Sequence, residues 1–449
     1  MKGEDIYVEK GIFRKFIKYV SLNIIGMMGL SCYILADTFF IAKVLGASGI
    51  AALNFSISVY SLLHGVGIMI AIGGATRYSI LKSQGSNQKA NTVFSICLKL
   101  GIILGLVFAL MGIFGSTSLA LVLGADISTL PLTKTYLTTI LCFAPFFIIN
   151  NILLAFVRSD NNPKLSMVAM LIGSFSNIIL DYIFMFPLKM GMFGAAFATC
   201  LAPIICIGIL LMHFVRKKNS FKYISNKITF THAWDIITLG ISGFINEISS
   251  AVVLITFNLV ILKLKGNLGV AAYGIIANIA LVGVSIFTGI AQGIQPLLSN
   301  GYGLGNHSII KRVLKYALVT SLSIAIIMYL CIFTNVNSVI GIFNSEHNLE
   351  IAQLAKTGFR IYFMGFLFLA INIILTMYLS ATERAKEAFT ISVLRGCIII
   401  VPLVLLLGKV WNMEGVWLSF VLTECIVATG AVFIVSIRKA QLTGQKVAG

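Results

Sequence analysis

The sequence predicts an all-α integral membrane protein of twelve transmembrane helices, arranged as two pseudo-symmetric lobes of six. The chain is 58% hydrophobic, has a mean hydropathy of +0.99 and contains only 11% charged residues, whereas a soluble domain carries about 25%. Its apolar residues fall into runs of about 20, each long enough to cross a bilayer core of roughly 30 Å as a helix. The pattern of residues also repeats once along the chain.

Each predicted helix is one of these apolar runs. Backbone groups inside a bilayer must be hydrogen-bonded within the chain, and a run of this length achieves that as a helix. The segment from Met1 to Lys18 is polar and charged without a short apolar core, so no cleavable signal is expected. The predicted spans are 16–41, 48–76, 93–118, 132–157, 164–186, 191–215, 233–262, 270–298, 313–334, 354–380, 387–408 and 414–437.

The net charge of +18 follows membrane topology and does not indicate nucleic-acid binding. With the N-terminus in the cytosol, the segments on that side hold 23 of the 33 Lys and Arg residues, including the cluster from Arg216 to Lys227. This excess is the positive-inside rule. We therefore expect both termini in the cytosol and no nucleic-acid partner. The eight cysteines have no CxxC spacing, which predicts neither a disulfide framework nor a metal site.

A shift of about 220 residues superimposes the two halves of the sequence. Because each copy holds six helices, both copies cross the membrane in the same sense, as parallel repeats related by an axis along the membrane normal. The predicted domains are an N-terminal six-helix lobe, 1–220, and a C-terminal six-helix lobe, 221–449, with a cavity between them. The matching residues include Gly46, Gly73 and Gly85 with Gly266, Gly293 and Gly305, and Asn151 with Asn372.

Acidic residues inside the apolar runs are candidate functional groups, because each costs on the order of 2.5–3.5 kcal/mol at mid-helix. They break the repeat, since Asp37, Asp181 and Glu247 fall opposite apolar residues in the other half. The first and fifth helices both run outward, which puts Asp37 and Asp181 roughly 9 Å inside the outer boundary. Asn177 shares a helical face with Asp181, and Thr199 and Tyr136 fall at similar depth.

These five side chains are predicted to form one coupling-ion cluster in the N-terminal lobe. Two nearby carboxylates in poorly solvated surroundings do not both ionise readily, so the cluster suits a proton. The same oxygens suit a small hard cation such as Na⁺. The alternative is a polar network that pins the first, fourth, fifth and sixth helices together. No cofactor is expected, and no metal beyond a possible Na⁺.

Further polar residues are candidates for the cavity between the lobes. Glu247, near mid-membrane in the seventh helix, is expected to bind a second proton or a substrate cation; the alternative is a hydrogen bond to Asn246 or Gln292. Arg395 and Glu424, both inside predicted spans, are expected to pair with each other. The substrate-cavity candidates are Tyr33, Asn150, Asn151, Met170 and Gln292.

Several motifs resemble the multidrug and toxic compound extrusion (MATE) family, most closely its MepA-like bacterial branch. The resemblance covers nearly the whole chain. It rests on ADTFFIAKVLGASGIAALN (36–54), RSDNNPKLSM (158–167), NIILDYIF (177–184), GMFGAAFAT (191–199) and QGIQPLLSNGYGLGN (292–306).

The resemblance implies a multidrug efflux antiporter of a bacterial cytoplasmic membrane, exporting cationic and amphipathic compounds in exchange for H⁺ or Na⁺ by alternating access. It assigns ion coupling to Asp37, Tyr136, Asn177, Asp181 and Thr199, and it puts Asn150, Asn151 and Met170 near bound substrate. Glu247 matches an acid found in the seventh helix of many members. Some Na⁺-coupled members add an acid in the tenth helix, and residues 363–379 contain none.

Other classes of protein fit the sequence less well. A flippase for lipids or lipid-linked oligosaccharides, built on a related scaffold, is expected to have a more cationic cavity, whereas the predicted cavity helices here carry acids. A membrane-embedded prenyltransferase needs clustered aspartates such as DDxxD, which are absent, so no enzyme is predicted. No selectivity motif of a channel occurs. We expect small-molecule drugs or dyes and the lipid bilayer as partners, and function as a monomer.

Overall fold

The computed structural model describes residues 2–225, 229–343 and 348–445, with side chains for 11–225, 229–341 and 348–436. Outside these ranges lie, among others, Met1, residues 226–227 of the predicted basic cluster and residues 446–449. Every regular element within the ranges is a helix. The elements are α1 (Lys2–Ser83), α2 (Asn87–Val122), α3 (Leu130–Cys142), α4 (Ala144–Ser159), α5 (Pro163–Met185), α6 (Gly191–Val215), α7 (Phe230–Gly303), α8 (His307–Phe343), α9 (Leu349–Tyr362), α10 (Gly365–Ala381), α11 (Ala385–Val393), a π-helical turn (Leu394–Ile398) and α12 (Ile400–Gln445).

The described helices form twelve membrane-crossing segments, as predicted. Nine helical units are long and apolar enough to cross a bilayer when the bent pairs α3–α4 and α9–α10 each count as one. Four of the nine contain a backbone break. The break at Asn335 lies near the end of α8, whereas those at Gly46, at Gly266 and at Trp411–Asn412 each divide a helix into two long segments. The two segments of α1 run side by side, since the hydroxyls of Tyr33 and Tyr60 are 3.5 Å apart. The predicted fold class is confirmed.

The backbone repeats with the same offset as the sequence. Gly46 and Gly266 both have φ 61°, in the left-handed region that glycine enters without steric cost. The bent pairs also correspond, with angles of 51° for α3–α4 and 48° for α9–α10. Further left-handed positions recur at offsets of 220 to 222, namely Gly85 with Gly305, Asn161 with Glu383 and Gly191 with Asn412.

Both bent pairs replace helices that the sequence predicts as continuous. Pro145 stands in the first turn of α4; it has no N–H to donate to the preceding turn, so the helix breaks there. The second bend falls at Gly365, where a Cβ atom would lie 2.6 Å from the Phe420 ring. The prediction of one continuous helix over 132–157, and of another over 354–380, was therefore wrong.

The interior consists mainly of two hydrophobic clusters, one chiefly in the N-terminal half (α1–α6) and one chiefly in the C-terminal half (α7–α12), to which α1 adds Phe16, Val20 and Ile72. Phe221, in the connection between the halves, is fully buried in the first cluster, with its ring 4.5 Å from that of Phe94. The boundary at residues 220 and 221 stays a prediction.

The halves meet through close backbone packing of α1 against α7. A Cβ atom on Gly73 would lie 1.9 Å from the carbonyl oxygen of Ile236, and one on Gly240 would lie 1.8 Å from that of Met69. Membrane helices associate through such packing, because lipid is as apolar as the side chains it would replace. Glycine is therefore required at both positions.

Polar contacts join the halves in the same region. Gln295 donates to the Thr76 hydroxyl at 3.0 Å. Arg77 forms an ion pair with Glu383 and approaches Asp235 at 3.9 Å. These residues lie toward the face at which α1 begins and α6 ends, which we call the N-terminal face. The two halves are thus closed against each other at that face.

Replacing Gly240 by alanine is expected to destabilise the protein, because the added methyl group collides with the carbonyl of Met69. Overpacking of this kind costs about 1–3 kcal/mol. Thermal unfolding of purified Gly240→Ala should show a lower Tm than the wild type. Gly274→Ala is the matched control on the same helix, since nothing lies within 4 Å of its added Cβ. Equal Tm values for the two variants would contradict the close approach.

Candidate ion and substrate site

A cavity of about 110 Å³ lies mainly within the N-terminal half, and α7 of the C-terminal half closes one side of it. Its walls come from α1, α4, α5, α6 and α7. The contact between Thr76 and Gln295 lies about one helical turn nearer to the N-terminal face than the cavity residues Ile72 and Gln292. All the predicted cavity residues line it, namely Tyr33, Asn150, Asn151, Met170 and Gln292, and so do Thr199 and Glu247.

The five predicted coupling residues form a buried polar cluster beside the cavity. Asp37, Tyr136, Asn177, Asp181 and Thr199 are each at most 6% exposed. With the Asn177 amide oriented to satisfy both of its ends, its nitrogen donates to Asp181 Oδ2 at 3.1 Å and its oxygen accepts from the Thr199 amide at 3.2 Å. Asp37 lies within electrostatic range of Asp181, and Tyr136 lies within range of both carboxyl groups.

Small residues let the helices that carry this cluster approach one another. A Cβ atom on Gly29 of α1 would lie 2.7 Å from the Leu171 side chain of α5. A Cβ atom on Gly173 of α5 would lie 3.3 Å from the Ala202 carbonyl of α6. The one-turn spacing of Asn177 and Asp181 then directs both side chains to the same side of α5.

One oxygen of each carboxyl group in the cluster has no hydrogen-bond partner among the described residues. These atoms are Asp37 Oδ1 and Asp181 Oδ1, and both are buried. An unsatisfied buried oxygen is costly, and a bound proton or a small hard cation would satisfy it. The cluster therefore fits H⁺ or Na⁺. No group of three or more potential His, Cys, Asp or Glu metal ligands occurs in the part of the chain that the structure describes.

The cluster meets the cavity through Thr199 and through two tyrosines. Thr199 lines the cavity, whereas Asp37 and Asp181 do not. Tyr33 and Tyr60 also line the cavity, and both lie within electrostatic range of Asp37. Both carboxyl groups lie on helical faces that line the cavity, but one or two turns beyond the last cavity residue of their helix. They therefore stand beside the cavity and are not part of its wall.

Glu247 has a partner that the sequence did not reveal. Its Oε2 lies 3.2 Å from Nδ1 of His64, on the second segment of α1. The His64 ring stacks on Tyr60, with ring centroids 5.9 Å apart. No hydrogen bond joins Glu247 to either expected partner, Asn246 or Gln292, among the described residues, and Gln292 accepts from Arg158 at 2.8 Å. Contacts across the cavity between residues about 180 positions apart carry no local sequence signal.

The buried acid of the C-terminal half, in contrast, is fully paired. Glu424 accepts from Arg395 Nε at 2.6 Å and from Asn372 Nδ2 at 2.7 Å. Arg395 lies in the π-helical turn between α11 and α12. The expected pairing of Arg395 with Glu424 is confirmed, and the pair is satisfied within its own half.

A second network, which the sequence reasoning missed, surrounds Asp160 at the N-terminal face. The buried carboxylate accepts from Lys82, from His213 Nε2 at 2.9 Å and from the Ser220 amide at 2.7 Å. Burial alone would raise the pKa of Asp160, but these hydrogen bonds outweigh burial and lower it. The network ties the ends of α1, α4 and α6 to the connection that leads into α7.

Two six-helix halves, a cavity that both of them border and buried carboxyl groups beside that cavity are features of a membrane transporter. The family model MatE matches residues 23–183 and 244–406, one stretch in each half. The chain belongs to the MatE family. The resemblance to this family is thereby confirmed.

Curated relatives match over almost their whole length. The multidrug export protein MepA of Staphylococcus saprophyticus is 28% identical over 452 residues, which cover 99% of this chain and 99% of the relative. The multidrug export protein MepA of Staphylococcus aureus is 27% identical over 447 residues, covering 99% and 98%. The predicted likeness to the MepA-like branch is confirmed by these relatives.

Solved structures share the fold. A multidrug resistance MATE family transporter of the MOP superfamily in an outward-facing conformation has a TM-score of 0.90 at 20% identity, covering 96% of each chain. A MATE structure in complex with MaL6 also has a TM-score of 0.90 at 20% identity, covering 96% of this chain and 97% of that one.

Replacing Arg395 by glutamine is expected to destabilise the protein strongly, because Glu424 would be left buried without its cation. Breaking a buried pair in this way costs about 3–5 kcal/mol. The double variant Arg395→Gln, Glu424→Gln should recover most of the loss. Thermal unfolding of the purified variants measures both effects. A double variant no more stable than the single one would show that the pair is not what stabilises this region.

Proposed function

We propose that the chain is a multidrug efflux antiporter, which exports cationic and amphipathic compounds in exchange for H⁺ or Na⁺. The full-length similarity to multidrug export proteins supports the export of drugs. The observation that carries ion coupling is the pair of buried, unpartnered oxygens on Asp37 and Asp181 beside the cavity.

The mechanism follows from the position of Thr199. Its backbone amide donates to Asn177, which in turn holds Asp181, and Thr199 also faces the cavity. Binding of a proton or Na⁺ at the carboxyl cluster therefore changes the hydrogen bonding of a cavity wall. Coupling requires that substrate and ion each prefer a different state of the protein. Rocking of one half against the other, with the α1–α7 contact loosened in one of the two arrangements, supplies two such states.

The proposed membrane is the cytoplasmic membrane of a bacterium, which is where the staphylococcal relatives would act. The positive-inside rule assigns the N-terminal face to the cytosol. The closed contacts around Arg77 and Gln295 then shut the cytosolic side, as in an outward-facing transporter. Each chain contains a complete cavity, so a monomer suffices.

Asp181→Asn is expected to abolish gradient-driven efflux. An amide does not take up a proton near neutral pH, and it does not supply a carboxylate to Na⁺. Purified protein is reconstituted into liposomes, and the liposomes are loaded with a cationic dye. A pH gradient and a Na⁺ gradient are then imposed in separate experiments. The gradient that drives wild-type efflux identifies the coupling ion. The initial rate of dye efflux should be at least tenfold lower in the variant.

Asp126→Asn is the matched control, since Asp126 is an exposed acid in the connection between α2 and α3. It should transport as the wild type does. Undiminished coupling in a folded Asp181→Asn variant would leave Asp181 with a structural role only and make Glu247 the next residue to test.

The second candidate function is a lipid flippase, and the cationic Arg158 in the cavity wall is the observation that favours it. The same liposomes distinguish the two functions. Protein-dependent translocation of a fluorescent anionic phospholipid, measured by quenching of the outer leaflet, would favour the flippase, and dye efflux without lipid translocation would exclude it.

A further inference from the structure

Arg158 is a buried cation in the wall of the cavity. It stands in the last turn of α4 and is only 3% exposed. Its Nη1 donates to Asn23 Oδ1 and to Gln292 Oε1, each at 2.8 Å. Both partners are neutral amides, so the guanidinium is hydrogen-bonded but its charge is not balanced by them.

No carboxylate pairs with Arg158 within the described ranges. The ion pairs there join other cations, such as Lys82 with Asp160 and Arg395 with Glu424. Arg158 Nε is buried and has no acceptor. The end of α4 contributes only the partial negative charge of a helix C-terminus. The chain therefore pays to keep an uncompensated guanidinium where a bound substrate would lie, in contrast to Arg395, which has its own acid.

The cavity wall carries a formal negative charge elsewhere. Glu247 of α7 and its neighbour His64 of α1 both line the cavity, as Arg158 of α4 does. The wall thus offers one group that attracts a cation and another that attracts an anion. A substrate with a single positive charge and no negative charge would interact only with the group that attracts a cation, Glu247.

We propose that Arg158 binds the carboxylate of zwitterionic amphipathic substrates, whose cationic group faces Glu247. This inference rests on the proposed drug transport and specifies its substrate class. The free Nε suits the chemistry, because a guanidinium offers parallel N–H donors that match the two oxygens of a carboxylate. Asn23 and Gln292 act as positioning residues, since their hydrogen bonds to Nη1 hold the guanidinium in place.

The test uses two rhodamine dyes that differ by one ester. Rhodamine 110 carries a xanthene cation and a free carboxylate, and rhodamine 123 is its methyl ester, with the same cation and no carboxylate. Binding of each dye to purified full-length protein is measured by fluorescence polarisation at pH 7. The wild type should bind rhodamine 110 at least as tightly as rhodamine 123. Exclusion of rhodamine 110 while rhodamine 123 binds would overturn the proposal without any variant.

Arg158→Gln should weaken the binding of rhodamine 110 at least tenfold relative to rhodamine 123, because it removes the charge but keeps a polar side chain. Arg158→Lys retains the charge but not the parallel donors, and it should restore part of the preference. A variant that changes both dyes equally, or neither, would mean that Arg158 only bridges α1, α4 and α7. Wild-type protein that binds neither dye would contradict the proposed function itself. If the ratio of the affinities for the two dyes is the same in the variants as in the wild type, only the proposed role of Arg158 is contradicted.

Discussion

The contact between α1 and α7 is the constraint on which the rest of the structure depends. At Gly73 and Gly240 the two backbones approach so closely that a single methyl group would collide with a carbonyl oxygen. This contact fixes how the two halves meet, and hence the size of the cavity and the side chains that face it. The polar contacts of Thr76 and Arg77 add to it at the same face. A transporter of this architecture must loosen such contacts to open that face.

The two halves treat their buried charges differently although their backbones repeat. Asp181 of the N-terminal half corresponds to Pro402, and Glu424 of the C-terminal half corresponds to Pro203, at an offset of 221. Glu424 is neutralised by Arg395 and Asn372. Asp181 and Asp37 have no cationic partner in the described chain, and each keeps an unsatisfied oxygen. Backbone symmetry provides the scaffold, and this asymmetry confines the proposed ion site to one half.

Much of the candidate site follows from local rules. Asn177 and Asp181 share a face because they are one helical turn apart, and the depth of Thr199 and Tyr136 follows from counting along helices. All the predicted cavity residues do line the cavity. The depth at which the cavity ends does not follow from such counting, so the sequence did not reveal that Asp37 and Asp181 lie beyond its wall. The pairing of Glu247 with His64 and the exposure of Arg158 to the cavity depend on contacts between distant segments.

The sequence by itself determined the number of helices, their order and the twofold repeat, because hydrophobic length and glycine position are local properties of a chain in a bilayer. It also determined the identity of the acids inside the apolar runs, whose cost in lipid makes them conspicuous, but not that of Asp160 at the end of α4. Only the tertiary structure decided which polar groups face each other. Helices pack through specific small-residue contacts such as those of Gly73 and Gly240, and a rotation of one residue about a helix axis turns a side chain by about 100°.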